Sequence, residues 1–497
     1  MAGSTHIIHK LVLDIEVPHR DAARKAQDEA VRYFELVLLK KLEQLLDDMD
    51  VPAHVLIDKI DLNLGAGKLE DVFEQLQASL AKALEPVLNP AVLPGSDEPD
   101  NEISYSLLTE EQQTFSVFVY FLDTGRLPWY VVASAEWLQH EDIWLSKLSG
   151  LLINDKSYQV KLIKLFKGSQ LILSRLFSQF SITFIKKLAP VLLNIDAREL
   201  QEKLDAAIGE IRALASGQST GDQAALSSAE LTGKTEHIIE KLLLMIFLRT
   251  GNNDFPGSSA AHKKLAALWY ENLNGSGAMP TLNLIQIAET VIQSAENKPV
   301  QPANKLVQPV NKPVVTPDHA SETEMKKEEE LEGRYVNQAG LVLLHPFLEY
   351  FFKDFGLLQD NDFVDLPARQ LAIHLLHYLG TGNVKGFEYD LGFEKFLCSW
   401  PAREPLERDI EIPQRMLDEG DNMLRTVIKY WKALKNTSPG GLREGFLIRK
   451  GKLIEAEQPV RLIVERMDLD ILLSSLPWGI GVIKLPWMDG PFYVEWQ

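Results

Sequence analysis

His374 and His377 stand three residues apart on a helical pattern, close enough for both imidazoles to reach one metal ion. No third ligand lies nearby, and Leu375, Leu376 and Leu379 around them describe a core helix, so hydrogen-bonded histidines are expected and no metal site. Gly65-Ala66-Gly67-Lys68 has the look of a phosphate loop. That loop also needs a glycine five residues before Gly67 and a Ser or Thr after the lysine, and the chain has Leu62 and Leu69 there. A glycine-rich strand-to-helix turn is the reading that remains. Gly479-Ile480-Gly481 lacks the third glycine and the following helix of a dinucleotide site. His6 and His9 fall on opposite faces of a strand, Cys398 has no adjacent base, and no serine sits in a Gly-x-Ser-x-Gly turn. These residues give no foothold for catalysis, a metal or a cofactor, and a non-enzymatic protein is expected.

The remaining chemical signature is aromatic. Leu-Pro-Trp occurs at Leu127-Pro128-Trp129, Leu476-Pro477-Trp478 and Leu485-Pro486-Trp487, and Trp478, Trp487 and Trp496 follow at a spacing of nine. Rings in such corners either stack on a sugar or peptide or wedge a turn onto the core. As a wedge each buries on the order of 200 Å² and asks for one acceptor for its N–H. The wedge is the expectation for Trp129, Trp478, Trp487 and Trp496, whereas exposed rings along one groove would mark a peptide- or carbohydrate-binding module. Residues 480–485, between two of the corners, alternate as a short strand bounded by prolines, and Phe492 to Trp496 forms a second strand after the turn Asp489-Gly490.

The chain that must position these groups has 497 residues, 45% of them apolar, and a net charge of −19. Two or three domains are expected. The charge argues against nucleic acid and anionic membranes as partners. Cys398 is the single cysteine, which fits a reducing compartment. Residues 1–10 lack a basic region leading into an apolar run, and the longest apolar run, Leu242 to Leu248, is far short of a membrane span. A soluble protein made in the cytoplasm is the expectation.

The periodicities predict an α+β chain that is mainly α-helical. Residues 1–89 read as a βαβα domain: a strand at His6 to Val17, a helix at Arg20 to Met49, a strand at Val55 to Leu64 and a helix at Leu69 to Leu88. Residues 90–103 form an acidic, proline-containing linker. Residues 104–296 read as an all-helical domain, opened by the capping box Thr109-Glu110-Glu111-Gln112. A seven-residue repeat rich in Pro, Val and Lys fills Asn297 to Pro317 and a charged run follows, so 297–333 reads as a linker that extends on the order of 100 Å between two bodies. Residues 334–497 form an α+β body. In it helices come first, with Pro346 kinking one or sitting in its first turn. An antiparallel β element, with strands at Gly445 to Ile454 and Pro459 to Leu473 turning at Gly451, then leads to the Trp-rich strands.

Five stretches together carry a family resemblance: His6-Ile7-Ile8-His9-Lys10; Phe121-Leu122-Asp123-Thr124-Gly125-Arg126-Leu127-Pro128-Trp129; Asn337-Gln338-Ala339-Gly340 through His345-Pro346-Phe347-Leu348; Trp431-Lys432-Ala433-Leu434-Lys435-Asn436-Thr437-Ser438 through Glu444; and Leu476-Pro477-Trp478 to Trp496. From end to end the chain resembles the tape measure proteins of contractile injection systems, the phage-tail-like particles of bacteria. The resemblance implies a structural protein that sets or helps to set inner-tube length, assembled in the cytoplasm and then held inside the particle. The partners implied are subunits of the inner tube, the hub or baseplate and the terminator. An assembly chaperone or adaptor is the alternative role within the same particle. The simplest ruler is one long helix, and this chain departs from it with prolines, β elements and linkers.

Overall fold

A computed structural model describes residues 7–8, 10, 12, 14–17, 19–47, 54–60, 62, 75–76, 78–80, 82–84, 103–131, 136–217, 229–251, 261, 263–268, 281–295, 333–456 and 459–496. The chain divides into two compact units, Met1–Val117 with Pro128–Ala135, and Phe118–Leu127 with Glu136–Gln497.

In the first unit a helix runs from Arg20–Tyr33 through a π turn at Phe34–Leu38 into Leu39–Asp47. Ala26, Ala30, Leu38 and Leu42 are buried and Phe34 is half-buried, an apolar stripe at four-residue steps. Such a stripe drifts about 40° per step on a regular helix, and the wider π turn keeps it on one side. Val31 lies off that stripe and is exposed. Of the expected βαβα order, the first helix is present, the following strand runs over His54–Ile60 (β1), and residues 75–76, 78–80 and 82–84 of the second helix are helical. The strand expected at His6 to Val17 does not form among its described residues, and Ile7, Ile8 and Val12 are exposed. Period-two alternation makes a strand only where a neighbour covers one face. The partner of β1 is instead Ile103–Leu108 (β2), antiparallel from His54↔Leu108 to Ile60↔Ile103, a strand that the sequence reading did not place. Gly65 to Lys68 and the repeat at 297–317 lie outside the described residues.

The capping box forms: Thr109 N donates to Gln112 Oε1 at 3.0 Å and Gln112 N to Thr109 Oγ1 at 3.3 Å, opening the helix Glu110–Thr124. The second unit continues in helices. The pattern that reads as helical over 157–194 divides into Lys156–Gly168, Gln170–Gln179 and Ile182–Leu193, because Asp155, Ser169 and Ser181 each cap a helix by accepting a backbone N–H. Asn194 closes the third in the left-handed conformation. Ala197–Gly217, Ala229–Thr250 and Thr281–Ala295 follow. Phe118, Phe121, Trp144, Phe180, Phe184 and Phe387 pack as one aromatic cluster, with Phe180 stacked on Phe184 at 4.5 Å and edge-on to Phe118 at 5.4 Å.

After residue 333 the chain adds a five-stranded sheet and more helices to the same unit. Arg334–Val336 (β3), Gly451–Ile454 (β6), Arg461–Val464 (β7), Phe492–Trp496 (β9) and Val482–Ile483 (β8) lie in the order β3-β6-β7-β9-β8, and Leu358–Gln359 (β4) pairs with Asp362–Phe363 (β5). The sheet is mixed, not wholly antiparallel: β7 and β9 run parallel, Leu462 opposite Val494. The crossover between them is long enough for that, since a parallel pair needs about a dozen residues or more. The expected strands are also shorter. Arg443–Leu447 is a π turn and Gly451 opens β6 instead of turning it. Asp468–Ser475 is a 3₁₀ helix whose first turn is fixed by Met467 N donating to Asp470 Oδ2 at 2.8 Å. Ala339–Leu344 is a buried 3₁₀ segment leading into the helix His345–Asp354, with Pro346 in the first turn. A Cβ at Gly340 would overlap the Phe446 carbonyl oxygen, so the two backbones approach there only because this residue is glycine.

Candidate functional site

The most concentrated polar chemistry in the second unit is a buried ionic hub. Arg175, on the helix Gln170–Gln179, places Nε 3.0 Å from Glu388 Oε2, and Lys395, on the helix Gly392–Leu397, places Nζ 2.7 Å from Glu388 Oε1. All three side chains are almost wholly buried. One carboxylate faces two cations, and backbone carbonyls complete the cage. Arg175 also donates to Leu122 O and Arg403 O, and Lys395 to Ala402 O at 3.0 Å and Glu404 O at 2.8 Å. Burial pulls the Lys395 ammonium below its ordinary range, and Glu388 opposes that shift. Gly125, at φ +75°, lies directly against the Glu388 carboxylate. Gln179 spans the same seam by accepting from Glu388 N at 2.7 Å and donating to Leu406 O at 2.6 Å. Beside it Arg408 donates to Glu141 Oε1 at 2.6 Å and lies 3.6 Å over the Phe387 ring. The arrangement holds the helices of 118–193 against the segment 387–408. It leaves no open carboxylate for acid–base work, since both oxygens of Glu388 are engaged.

Trp478, Trp487 and Trp496 each direct the indole N–H at an acceptor within the second unit. Trp487 is buried and donates to Leu397 O at 2.7 Å. Trp478 donates to Leu343 O at 3.1 Å and Trp496 to Asp470 Oδ2 at 3.0 Å, both half-buried. Asp470 in turn is 3.1 Å from the buried Arg449, whose guanidinium lies over the Trp496 ring. Each indole N–H of the three C-terminal tryptophans is thus spent inside the fold. Trp129, in the first unit, packs edge-on against Tyr130.

His374 and His377 are buried on the helix Leu366–Thr381. His374 Nε2 is 2.7 Å from Glu407 O, and burial lowers this imidazole to a pKa of about 4. His377 Nδ1 is 3.3 Å from Glu394 Oε1. Among the described residues no three His, Cys, Asp or Glu side chains are placed to hold a metal ion. Cys398 is fully buried and its thiol is pushed well above the usual range by that burial. Among the described residues no helix is long and apolar enough to cross a membrane.

Sequence reasoning did not find Arg175, Gln179, Glu388 or Lys395. The available signal was a charge set alone in a stretch without other charges, as Arg175 is in Leu171 to Phe180; Lys395, next to Glu394, gave no such signal.

No curated protein and no solved structure matches the chain. The family model described as contractile injection system tape measure protein matches residues 5–496. The match takes in all five stretches named in the sequence, including Leu122 and Gly125 at the hub and the segments that carry Trp478, Trp487 and Trp496. The chain belongs to the contractile injection system tape measure protein family.

Proposed function

We propose that this structural protein of a contractile injection system takes part in building the inner tube and sets or helps to set its length, without catalysing a reaction. The observation that carries the reading is the family match over residues 5–496. Two features of the molecule agree with a structural role: both oxygens of the buried Glu388 are consumed by Arg175 and Lys395, and the indole N–H groups of Trp478, Trp487 and Trp496 are consumed within the fold. Its partners are then the protein subunits of the particle, at the inner tube, hub or baseplate, and terminator. The longest continuous run of helix among the described residues, Arg20 to Asp47 with its π turn, covers 28 residues and spans about 40 Å, so a measuring role does not reside in one long rod among the described residues. Deleting the gene and imaging the particles tests the proposal. Missing, incomplete or length-scattered tubes are expected, and normal particles of unchanged length overturn it.

A further inference from the structure

The segment from Asn422 to Arg443 contains no acidic residue in a chain of net charge −19, yet carries Arg425, Lys429, Lys432, Lys435 and Arg443. Arg443 is taken up by Asp421, 2.8 Å away. Lys429, Lys432 and Lys435 are exposed and make no ion pair among the described residues. Lys429 lies in the last turn of Gln414–Tyr430, where a cation complements the helix carbonyls. Lys432 and Lys435 lie beyond that helix, so the helix end does not account for them. The backbone beneath is ordered: Trp431 is fully buried with Nε1 donating to Leu472 O and Ser475 Oγ, and Thr437 Oγ1 donates to Leu434 O at 2.6 Å. Lys435 is held at φ +49°, a conformation uncommon for a side chain of this kind. Tyr430 stands 61% exposed among these lysines and meets Phe347, at 6.2 Å between ring centres. One turn further along the helix of Phe347, Tyr350 is 77% exposed.

We infer that the face formed by Lys429, Tyr430, Lys432 and Lys435, with Tyr350 beside it, docks an acidic segment of another protein. Charge complementarity selects the occupant. Asp421 and Glu349 are already held by Arg443 and Lys353, so among the described residues no carboxylate neutralises the three lysines. Exposed tyrosines supply the rigid amphipathic contact area found at the centre of protein interfaces. A nucleic-acid strand extends its phosphates past so short a row of cations and into the field of a strongly acidic chain. A lipid surface would call for aliphatic side chains to insert, and the exposed groups of this face are phenols and ammoniums.

The inference rests on the proposed assembly role only for where the partner is found, and the test is separable from it. Tyr430 is replaced by the photoreactive p-benzoylphenylalanine in the producing cells, and the irradiated adducts are identified by mass spectrometry. The expected adduct joins residue 430 to another protein at a segment richer in Asp and Glu than in Lys and Arg. Its yield falls by about tenfold in K429E/K432E/K435E, as charge complementarity requires, while the purified variant keeps its melting temperature to within about 4 °C. Should the charge-reversed chain fold poorly, K429Q/K432Q/K435Q replaces it, with a loss of about threefold or more expected. Adducts to nucleic acid or lipid, to a neutral or basic segment, or only within this chain overturn the inference, as do no adduct at all and a yield indifferent to the lysines. Particle length in the deletion strain judges the assembly role on its own, so a missing adduct where deletion still disturbs the tube removes the docking face alone.

Discussion

Arg175 Nε lies 3.0 Å from Glu388 Oε2 although 213 residues separate them in sequence, and Lys395 closes on the other oxygen of the same carboxylate. The asymmetry of this triad fixes the order of its mutational effects. Glu388→Gln leaves two buried cations without a counter-charge, whereas Arg175→Met leaves Glu388 still neutralised by Lys395. Breaking a buried pair from one side costs about 3–5 kcal/mol, and Glu388→Gln should reach the top of that range with Arg175→Met below it. Urea unfolding followed by tryptophan fluorescence gives both values. Equal losses, or a larger loss for Arg175→Met, would show that Lys395 does not share the carboxylate.

The close approach at Gly340 gives a second expectation. Gly340→Ala sets a methyl group against the Phe446 carbonyl, with backbone on both sides and no flexible side chain to move aside. A loss of about 3 kcal/mol is expected. Gly392→Ala, at the start of the helix Gly392–Leu397, meets no atom within 4 Å and should gain about 0.5 kcal/mol from reduced freedom of the unfolded chain. Unfolding midpoints measured side by side check the pair, and two similar shifts would remove the steric argument.

How much of this was readable beforehand depended on whether a residue's role was local. Thr109 and Gln112 announce their helix start because both partners of the capping box lie within four residues. The helical character of the described residues in 141–295 was legible from the apolar period, though not the capped breaks at Ser169 and Ser181, and Pro346 fell in a first turn, one of its two predicted places. The strand Ile103–Leu108 was missed although Ile103, Tyr105 and Leu107 alternate with Ser104 and Ser106, because its partner lies beyond a long acidic stretch and pairing is a non-local property. His6 to Val17 shows the converse, a clean alternation that forms no strand among its described residues. The hub was illegible for the same reason. Nothing near Arg175 in sequence names Glu388, whereas the need of each C-terminal indole N–H for one acceptor is a property of the residue itself.

Two groups in the second unit, the buried His374 and the half-buried Asp390, titrate in opposite senses. Burial lowers His374 from 6.5 to about 4, so its contribution to stability is complete above about pH 6.5 and is lost as pH falls towards 4. Burial raises the Asp390 carboxyl from 3.8 to about 6, with His377 acting against the shift. Its contribution is complete below about pH 3.8 and is lost as pH rises through 6. Between about pH 4 and 6 the two slopes largely cancel. Asp390→Asn removes one of them, so the variant should lose stability with falling pH in that window, by up to about 1.4 kcal/mol per pH unit, while the parent chain changes less. Unfolding midpoints across this range decide, and parallel curves for the two proteins would contradict the assignment.

The last expectation concerns the seven-residue repeat of Asn297 to Pro317. If it lay extended as part of a ruler, removing one unit at about 3.1 Å per residue would shorten the span by about 22 Å. The flanking residues argue against that. Ala295 and Gly333 belong to the same compact unit, and Arg175 with Glu388, Phe121 with Phe387, and Glu141 with Arg408 fasten the sequence before the repeat to the sequence after it. While those contacts hold, the separation of the two ends is set by the unit and not by the 37 residues from 296 to 332. Deleting seven of them then changes only the closure of a loop, by about 0.2 kcal/mol. Particles built with one unit deleted should keep their normal length. A length histogram that shifts in step with the number of units would show instead that the hub opens during assembly and that the repeat is part of the measured span.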